Sequence, residues 1–164
     1  MIEYEYSIKV ERIKPFVDYC KNNGYVLVSV AKENRVVFQN LNNNNIISRI
    51  TTTEKSGKTI ILFDFKNKTV GDDKFKVSQE SLAMSLKESE IAVAKSMLEV
   101  LGFKQSADNL RTRYVYEKDG VKFEIDEYIR PKMNVIGIEG EKEKVDEIYK
   151  FLNENERIKD FIVK

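Results

Sequence analysis

The stretch that decides the fold is residues 2–10, which read IEYEYSIKV. Successive side chains of a β-strand point to opposite faces, so odd and even positions of this stretch belong to different surroundings. The even positions carry only apolar or aromatic side chains, and the odd positions carry Glu3, Glu5, Ser7 and Lys9. The apolar face must pack against other apolar residues, and the charged face must meet water or opposite charge.

The same segregation recurs on the later predicted strands. Their polar positions contain both acids and bases: Arg49 and Thr51; Asp64 and Lys66; Lys74, Lys76, Ser78 and Glu80; Arg111 and Arg113; Glu124 and Asp126; Gly137 and Glu139. The alternate positions are mostly Ile, Phe, Val and Tyr. Helices can cover only the apolar face, so the charged face needs a separate explanation.

Turn residues and helical periodicity divide the chain into strands and three helices. Strands are expected at residues 2–10, 25–30, 35–39, 46–53, 58–66, 74–80, 108–117, 121–128 and 133–139. The first helix begins near Pro15 and ends before Gly24, the second follows Ser85, and the third begins near Glu141. Ser85 and Glu88 have the spacing of a capping box. This order is typical of an antiparallel α+β fold and not of a βαβ series.

Length and charge bound the class of protein. The chain has 164 residues, the usual size of one domain, so we predict a single domain over residues 1–164. Its 28 basic and 27 acidic residues leave a formal charge of +1, which attracts neither nucleic acid nor an anionic membrane. No stretch is long and apolar enough to span a bilayer. The N-terminal residues have the pattern of a strand and not of a signal peptide. We therefore expect a soluble, cytoplasmic protein with neither nucleic acid nor membrane as a partner.

Cysteine and histidine chemistry is almost absent from this sequence. Cys20 is the single cysteine, and there is no histidine. This composition excludes an intramolecular disulfide framework, a cysteine-rich zinc site and imidazole catalysis. Any metal that the protein binds must therefore be held by carboxylates.

Two architectures are compatible with the alternating strands. In the first, an open antiparallel sheet packs one face on the helices and exposes the charged face to water. In the second, the eight or so strands close into a barrel, because open sheets leave edges that invite aggregation. With the helices outside, a closed barrel places the charged face in its interior. The second architecture predicts a polar tunnel.

A polar tunnel needs charge compensation, because an unpaired buried charge costs several kcal/mol. Bases on some strands and acids on others partly neutralise one another. A polyphosphate bridged by divalent cations would complete both sets, since arginine binds phosphate bidentately and carboxylates bind hard cations. Mg²⁺ and Mn²⁺ prefer such oxygen ligands.

A short internal similarity suggests two related halves. Gly24 is followed by Arg35 eleven residues later, and Gly102 is followed by Arg113 at the same offset. Each glycine lies at the predicted end of a helix that leads into a strand.

These residues resemble the CYTH superfamily, also called the triphosphate tunnel metalloenzymes, which includes class IV adenylyl cyclases and thiamine triphosphatases. The family signature opens with a Glu-x-Glu-x-Lys strand, matched here by Glu3 and Glu5. The later elements follow in family order over residues 1 to about 152. The resemblance implies an antiparallel eight-stranded β-barrel, with a charged tunnel that holds a triphosphate and one or two divalent cations, Mg²⁺ or Mn²⁺.

The resemblance also implies roles for individual residues. The candidate metal ligands are Glu3, Glu5, Glu139 and Glu80. The candidate phosphate-binding residues are Lys9, Arg49, Lys66, Lys76, Arg111 and Arg113. The candidate catalytic residues are Glu5, Asp126 and Arg113.

Four positions depart from the family pattern. Ser7 stands where the lysine of the first motif is expected, with Lys9 one step further along the same face. Thr51 replaces the second arginine of a paired-arginine strand, and Ser78 and Gly137 stand where glutamates are usual. The loss of one such contact can lower a rate by roughly 10²-fold or more, so several losses favour binding without turnover.

The leading hypothesis is metal-dependent hydrolysis of a phosphoanhydride bond in ATP, thiamine triphosphate or inorganic tripolyphosphate. One alternative is a class IV-type adenylyl cyclase, which makes cyclic AMP and pyrophosphate from ATP. Another is a catalytically silent domain that binds nucleotide or polyphosphate. A weaker alternative is an interaction domain with a solvent-facing charged sheet.

Overall fold

Antiparallel strands make up most of the molecule. The computed structural model describes residues 2–71 and 74–164. The strands are β1 Ile2–Val10, β2 Val26–Asn40, β3 Ile46–Lys55, β4 Lys58–Gly71, β5 Phe75–Glu80, β6 Met84–Ser85, β7 Phe103–Lys118, β8 Val121–Arg130 and β9 Met133–Gly140. The helices are α1 Lys14–Asn22, α2 Ile91–Val100 and α3 Lys142–Glu154. None of these helices, in the ranges described, is long and apolar enough to cross a membrane.

Eight of the strands form a closed barrel. Their order is β3-β2-β7-β8-β9-β1-β5-β4, and β4 pairs back with β3 from Ile46↔Asn67 to Lys55↔Lys58. The short strand β6 pairs with β4 alone and lies outside this ring. All the pairings among the described residues are antiparallel, and closure gives each of the eight strands a neighbouring strand on both sides. The closed architecture is confirmed, and the open sheet is wrong.

Two apolar cores pack on the outside of the barrel. The larger joins Phe16 and Cys20 of α1 and Val145 and Leu152 of α3 to outward side chains of β1, β7, β8 and β9. The smaller joins Ala94 and Leu98 of α2 to Phe38, Ile50 and Ile61 of β2, β3 and β4. Because the helices cover the apolar face, the alternate positions of every strand must point inward.

The chain order supports the hypothesis of two related halves. The first half runs β1, α1, β2, β3 and β4, and the second runs β5, β6, α2, β7, β8 and β9. Apart from the short β6, both have the order strand, helix and three strands. The halves meet at four pairings: β1 with β5, β1 with β9, β2 with β7 and β4 with β5. Each half therefore contributes four strands to the barrel.

Several element boundaries differ from the prediction. Strand β2 is continuous over Val26–Asn40, whereas two separate strands were expected there, because its whole length pairs with β7. The capping box at Ser85 and Glu88 is wrong: Ser85 pairs with β4, and the Glu90 carboxylate accepts the backbone N–H of Lys87. Gly71 was predicted to lie in a loop but belongs to β4. Asp72 and Asp73 lie outside the described residues.

Candidate functional site

The barrel encloses a charged cavity of about 530 Å³. In the part of the chain that the structure describes, eight cationic and seven acidic side chains line it. Glu3, Lys66, Arg113 and Glu139, from four different strands, all face this space. The predicted charged face is thus the interior of the barrel, and its charges are close to balanced.

Two arginines of β7 form the centre of the first group of charges, which we call the arginine cluster: Glu33, Arg111, Arg113, Glu124 and Asp126. The Arg113 Nε and Nη2 atoms donate to the two Asp126 oxygens at 2.7 and 2.8 Å. The Arg111 Nε and Nη2 atoms donate to Glu33 Oε2 at 3.0 and 2.7 Å. Arg111 Nη1 also donates to Asp126 Oδ2 at 3.2 Å and to the Tyr128 hydroxyl at 2.7 Å. Glu124 forms an ion pair with Arg113 Nη1, so every member of the cluster has a partner of opposite charge.

Electrostatics in the arginine cluster favour the charged forms of Glu33, Glu124, Arg111 and Arg113. Burial alone would raise the pKa of Glu124, but Arg113 and Lys122 outweigh it and lower that pKa to about 2. Burial is likewise outweighed at Glu33, where Arg113 and Arg111 lower the pKa. At Arg113 the neighbouring carboxylates, Glu124 first, overcome burial and raise the pKa well above its ordinary value. The cluster is a stable set of ion pairs at neutral pH.

An ion pair between Arg49 and Asp64 lies on the β3–β4 side of the cavity. Arg49 Nε and Nη2 donate to the two Asp64 oxygens at 2.8 and 2.6 Å. Arg49 Nη2 is also 3.0 Å from Glu80 Oε1. Asp64 lies directly opposite Arg49 in the strand register, so the sheet itself sets this bidentate geometry.

Carboxylates predominate on the β1, β5 and β9 side, where we define the glutamate cluster as Glu3, Glu5, Glu80 and Glu139. The Lys66 ammonium lies among three of them, 3.0 Å from Glu80, 3.6 Å from Glu5 and 3.8 Å from Glu3. Only the Glu80 contact is short. Glu80 is also 3.0 Å from Arg49 Nη2, so Glu3 and Glu5, with their longer contacts to Lys66, are the acids whose negative charge is only partly compensated.

The pKa values report this imbalance. Burial, the nearby Glu124 and Glu5 raise the pKa of Glu139 to about 7, although its oxygen is 2.5 Å from the Lys122 ammonium. Burial and the charge of Glu80 raise the pKa of Glu3. Like charges held close together disfavour ionisation, and an added cation would relieve them.

The donor set suits a hard divalent cation. Glu5 and Glu139 are direct cross-strand partners, and both line the cavity. Mg²⁺ usually binds through one or two carboxylates and completes its shell with water and substrate phosphates. Among the described residues no three acids converge as a preformed metal centre. The residues therefore fit a cation that arrives with an anionic ligand better than one held by protein alone.

The structure brings together ten of the eleven candidate residues, and each of the ten lines the cavity: Glu3, Glu5, Arg49, Lys66, Lys76, Glu80, Arg111, Arg113, Asp126 and Glu139. Lys9 is the exception. Its side chain is exposed and borders a surface depression with Glu127 and Asn134, away from the other candidates.

Two of the four positions that depart from the family pattern are neighbours in the barrel. Ser7 and Gly137 are direct cross-strand partners that both line the cavity. The pattern places a lysine and a glutamate at these two positions, so their joint absence leaves the local charge unchanged. A Cβ atom on Gly137 would lie 3.5 Å from Glu124 Cβ and 3.7 Å from Glu5 Oε1. Small residues here leave space between two carboxylates.

Sequence reasoning did not assign a role to several charged residues of the cavity. Lys122 links Glu124 to Glu139, with its ammonium 3.3 and 2.5 Å from their oxygens. Glu33 of β2 completes the arginine cluster through its contact with Arg111, and Arg35 of the same strand lines the cavity. For Arg35 the sequence did contain a signal. Arg35 follows Gly24 by the same number of residues as Arg113 follows Gly102, which indicates equivalent positions in the two halves of the barrel.

Solved structures share this fold. The PH1012 protein of Pyrococcus horikoshii superposes with a TM-score of 0.73 at 17% identity, covering 98% of this chain and 94% of that chain. A Hippeastrum protein, HpAC1, described as a putative adenylyl cyclase with a dominant triphosphatase activity, gives 0.69 at 12% identity, with 95% and 88% covered. A putative adenylate cyclase of Vibrio parahaemolyticus gives 0.60 at 11%, with 100% and 94% covered. No family model and no curated protein matches the sequence. The fold implied by the CYTH resemblance is confirmed.

Proposed function

We propose that the protein binds a triphosphate with a divalent cation inside the barrel and hydrolyses a phosphoanhydride bond. The observation that carries this proposal is the division of the cavity into an arginine cluster of close ion pairs and a glutamate cluster in which the pKa values of Glu3 and Glu139 are raised. A metal–triphosphate complex supplies an anion to the first and a cation to the second. The description of HpAC1 as a triphosphatase with the same fold supports the same chemistry.

The chain's own residues would orient the ligand. Arg49 and Arg113 contact carboxylates bidentately, a geometry that also matches phosphate oxygens, and the Arg111 guanidinium lies beside Arg113 on β7. Glu5 and Glu139 would hold the cation, which when bound neutralises phosphate charge and activates water for attack. Lys66 lies between the glutamate cluster and the Arg49–Asp64 ion pair, where its ammonium group could contact a phosphate oxygen. Enclosure by the barrel limits access of bulk water to the held phosphates.

A silent binding domain is the second candidate. The Lys66 ammonium already occupies the space between Glu3, Glu5 and Glu80, and family positions 7, 51, 78 and 137 are substituted. Such a domain would bind polyphosphate without releasing product.

Ion-exchange product analysis tests the proposal. Purified protein is incubated with tripolyphosphate, thiamine triphosphate or ATP, each in Mg²⁺, Mn²⁺ or EDTA. The proposal predicts metal-dependent phosphate release, which the double variant Glu5→Gln/Glu139→Gln lowers at least roughly 100-fold. Glu147→Gln, on the exposed face of α3, is the matched control and should retain full activity.

Other products would contradict hydrolysis. Cyclic AMP with pyrophosphate from ATP would indicate a cyclase. Tight binding with no product under any condition would support the silent domain.

A further inference from the structure

Four arginines line the cavity, and one of them differs from the rest in its partners. Arg49 and Arg113 each make a bidentate contact with a carboxylate, and Arg111 donates two hydrogen bonds to one Glu33 oxygen. Within residues 2–71 and 74–164, no carboxylate oxygen lies within 4.0 Å of an Arg35 nitrogen atom. Arg35 is therefore the cavity arginine whose charge is least compensated.

The position of Arg35 follows from the strand register. On β2 it lies opposite Thr51 of β3 and Asn109 of β7, two neutral residues. Its Nε atom donates to Thr51 Oγ1 at 3.1 Å, which orients the guanidinium group. The remaining guanidinium nitrogens are the groups available to an anion.

The charges around Arg35 are mostly of its own sign. Burial, together with Arg111, Arg113 and Arg49, lowers the pKa of Arg35 to about 10, and Glu33 opposes this only partly. Arg35 thus stands between the arginine cluster and the Arg49–Asp64 pair. A cation held near other cations without a direct counterion is a feature of anion sites.

We infer that Arg35, oriented by the Thr51 hydroxyl, is a primary contact for an anionic phosphoryl group in the barrel. The inference rests on the proposed function for the ligand class and adds a residue that the CYTH resemblance did not assign. Thr51 stands where that resemblance implies an arginine. The guanidinium comes instead from the neighbouring strand, and Thr51 is its positioning residue.

The test separates anion binding from structural support. Tripolyphosphate is titrated calorimetrically into the full chain in EDTA, and the same titration is repeated in Mg²⁺. Arg35→Gln should weaken binding roughly 10- to 100-fold, the size of a lost charged hydrogen-bonding partner. Its melting temperature without ligand should be unchanged or higher, because the substitution removes an uncompensated cation. A purely structural arginine would show a lower melting temperature.

Two further variants cover the case in which Arg35→Gln does not fold. Arg35→Lys keeps the charge without the planar geometry, and Thr51→Val removes the orienting hydroxyl. Both should bind tripolyphosphate at least roughly threefold more weakly than the wild type at unchanged stability. Lys32→Gln, exposed on the opposite face of β2, is the matched control and should bind normally.

The outcomes distinguish this inference from the proposed function. Wild-type-like binding by Arg35→Gln, or by both other variants if Arg35→Gln does not fold, overturns the role of Arg35 and leaves hydrolysis standing. Binding that depends on Arg35, without any product, supports the inference and contradicts hydrolysis. If the wild type binds tripolyphosphate in neither EDTA nor Mg²⁺, both are overturned.

Discussion

The arginine cluster and the glutamate cluster face the same cavity but differ in how their charges are satisfied. In the arginine cluster, Asp126 is 3% exposed and accepts hydrogen bonds from both Arg111 and Arg113. In the glutamate cluster, the Lys66 ammonium is 3.8 and 3.6 Å from the Glu3 and Glu5 oxygens, and the pKa of Glu139 is raised to about 7. The first cluster stabilises the fold as it stands. The second has electrostatic strain that a bound cation would relieve.

The largest expected effect concerns stability in the arginine cluster. Asp126→Asn removes the carboxylate shared by two buried guanidinium groups and should lower the free energy of unfolding by about 3 kcal/mol. Urea denaturation measures it. The matched control is Asp108→Asn, because Asp108 pairs with Arg130 in an exposed contact and its loss should cost less than about 1 kcal/mol. If both substitutions lowered the free energy of unfolding equally, the buried and the exposed ion pairs would contribute alike to stability.

Glu3→Gln, in the glutamate cluster, should affect metal binding more than the stability of the fold. Removing one acid from an undercompensated cluster should leave the free energy of unfolding within about 1 kcal/mol of the wild type. The same change should weaken Mn²⁺ binding in the presence of tripolyphosphate roughly 10-fold, which electron paramagnetic resonance of free Mn²⁺ can follow. A destabilisation as large as that of Asp126→Asn would remove the distinction between the clusters.

A third prediction concerns pH. The pKa of Glu139 rises from an ordinary value of 4.5 to about 7 on folding, so the folded state holds a proton that the unfolded state has lost. Stability from this group is therefore present below pH 4.5 and is lost as the pH rises through 7. Glu3, whose pKa is also raised, acts in the same direction. Between pH 5 and pH 7.5 the melting temperature should fall less in Glu139→Gln than in the wild type or in Glu147→Gln.

Mg²⁺ with tripolyphosphate should reduce this pH-dependent loss in the wild type. An identical pH profile in Glu139→Gln and the wild type would place the responsible group elsewhere.

The smallest expected effect is at Lys9. Because its side chain lies outside the cavity, Lys9→Gln should change the affinity for tripolyphosphate less than about twofold. Lys66→Gln, within the cavity, should weaken the same binding roughly 10-fold or more. A large loss of tripolyphosphate affinity in Lys9→Gln would show that the ligand extends beyond the mouth of the barrel.

Much of this architecture was predictable from strand alternation. Glu3, Glu5 and Lys66 belong to the polar phase of their strands, and closure of the sheet turned that phase inward. Alternation gives the face of a side chain but not its height along the barrel. That is why Lys9, on the same face as Glu5, was expected in the cavity and lies outside it.

Cross-strand pairing was the part that the sequence could not supply. The role of Arg35 depends on Thr51 and Asn109 lying beside it, and that register is visible only once β2 pairs with β3 and β7. The capping box failed for a related reason. Ser85 is drawn into pairing with Leu62 of β4, so a tertiary contact overrode a local helix signal.

The most direct test of a metal–triphosphate site is a crystal structure with Mn²⁺ and an imido analogue of tripolyphosphate. The anomalous map should show Mn²⁺ beside the Glu5 and Glu139 carboxylates, with a phosphoryl group on the Arg35 guanidinium. Ligand bound only on the outer surface, with the barrel interior holding water alone, would contradict the account.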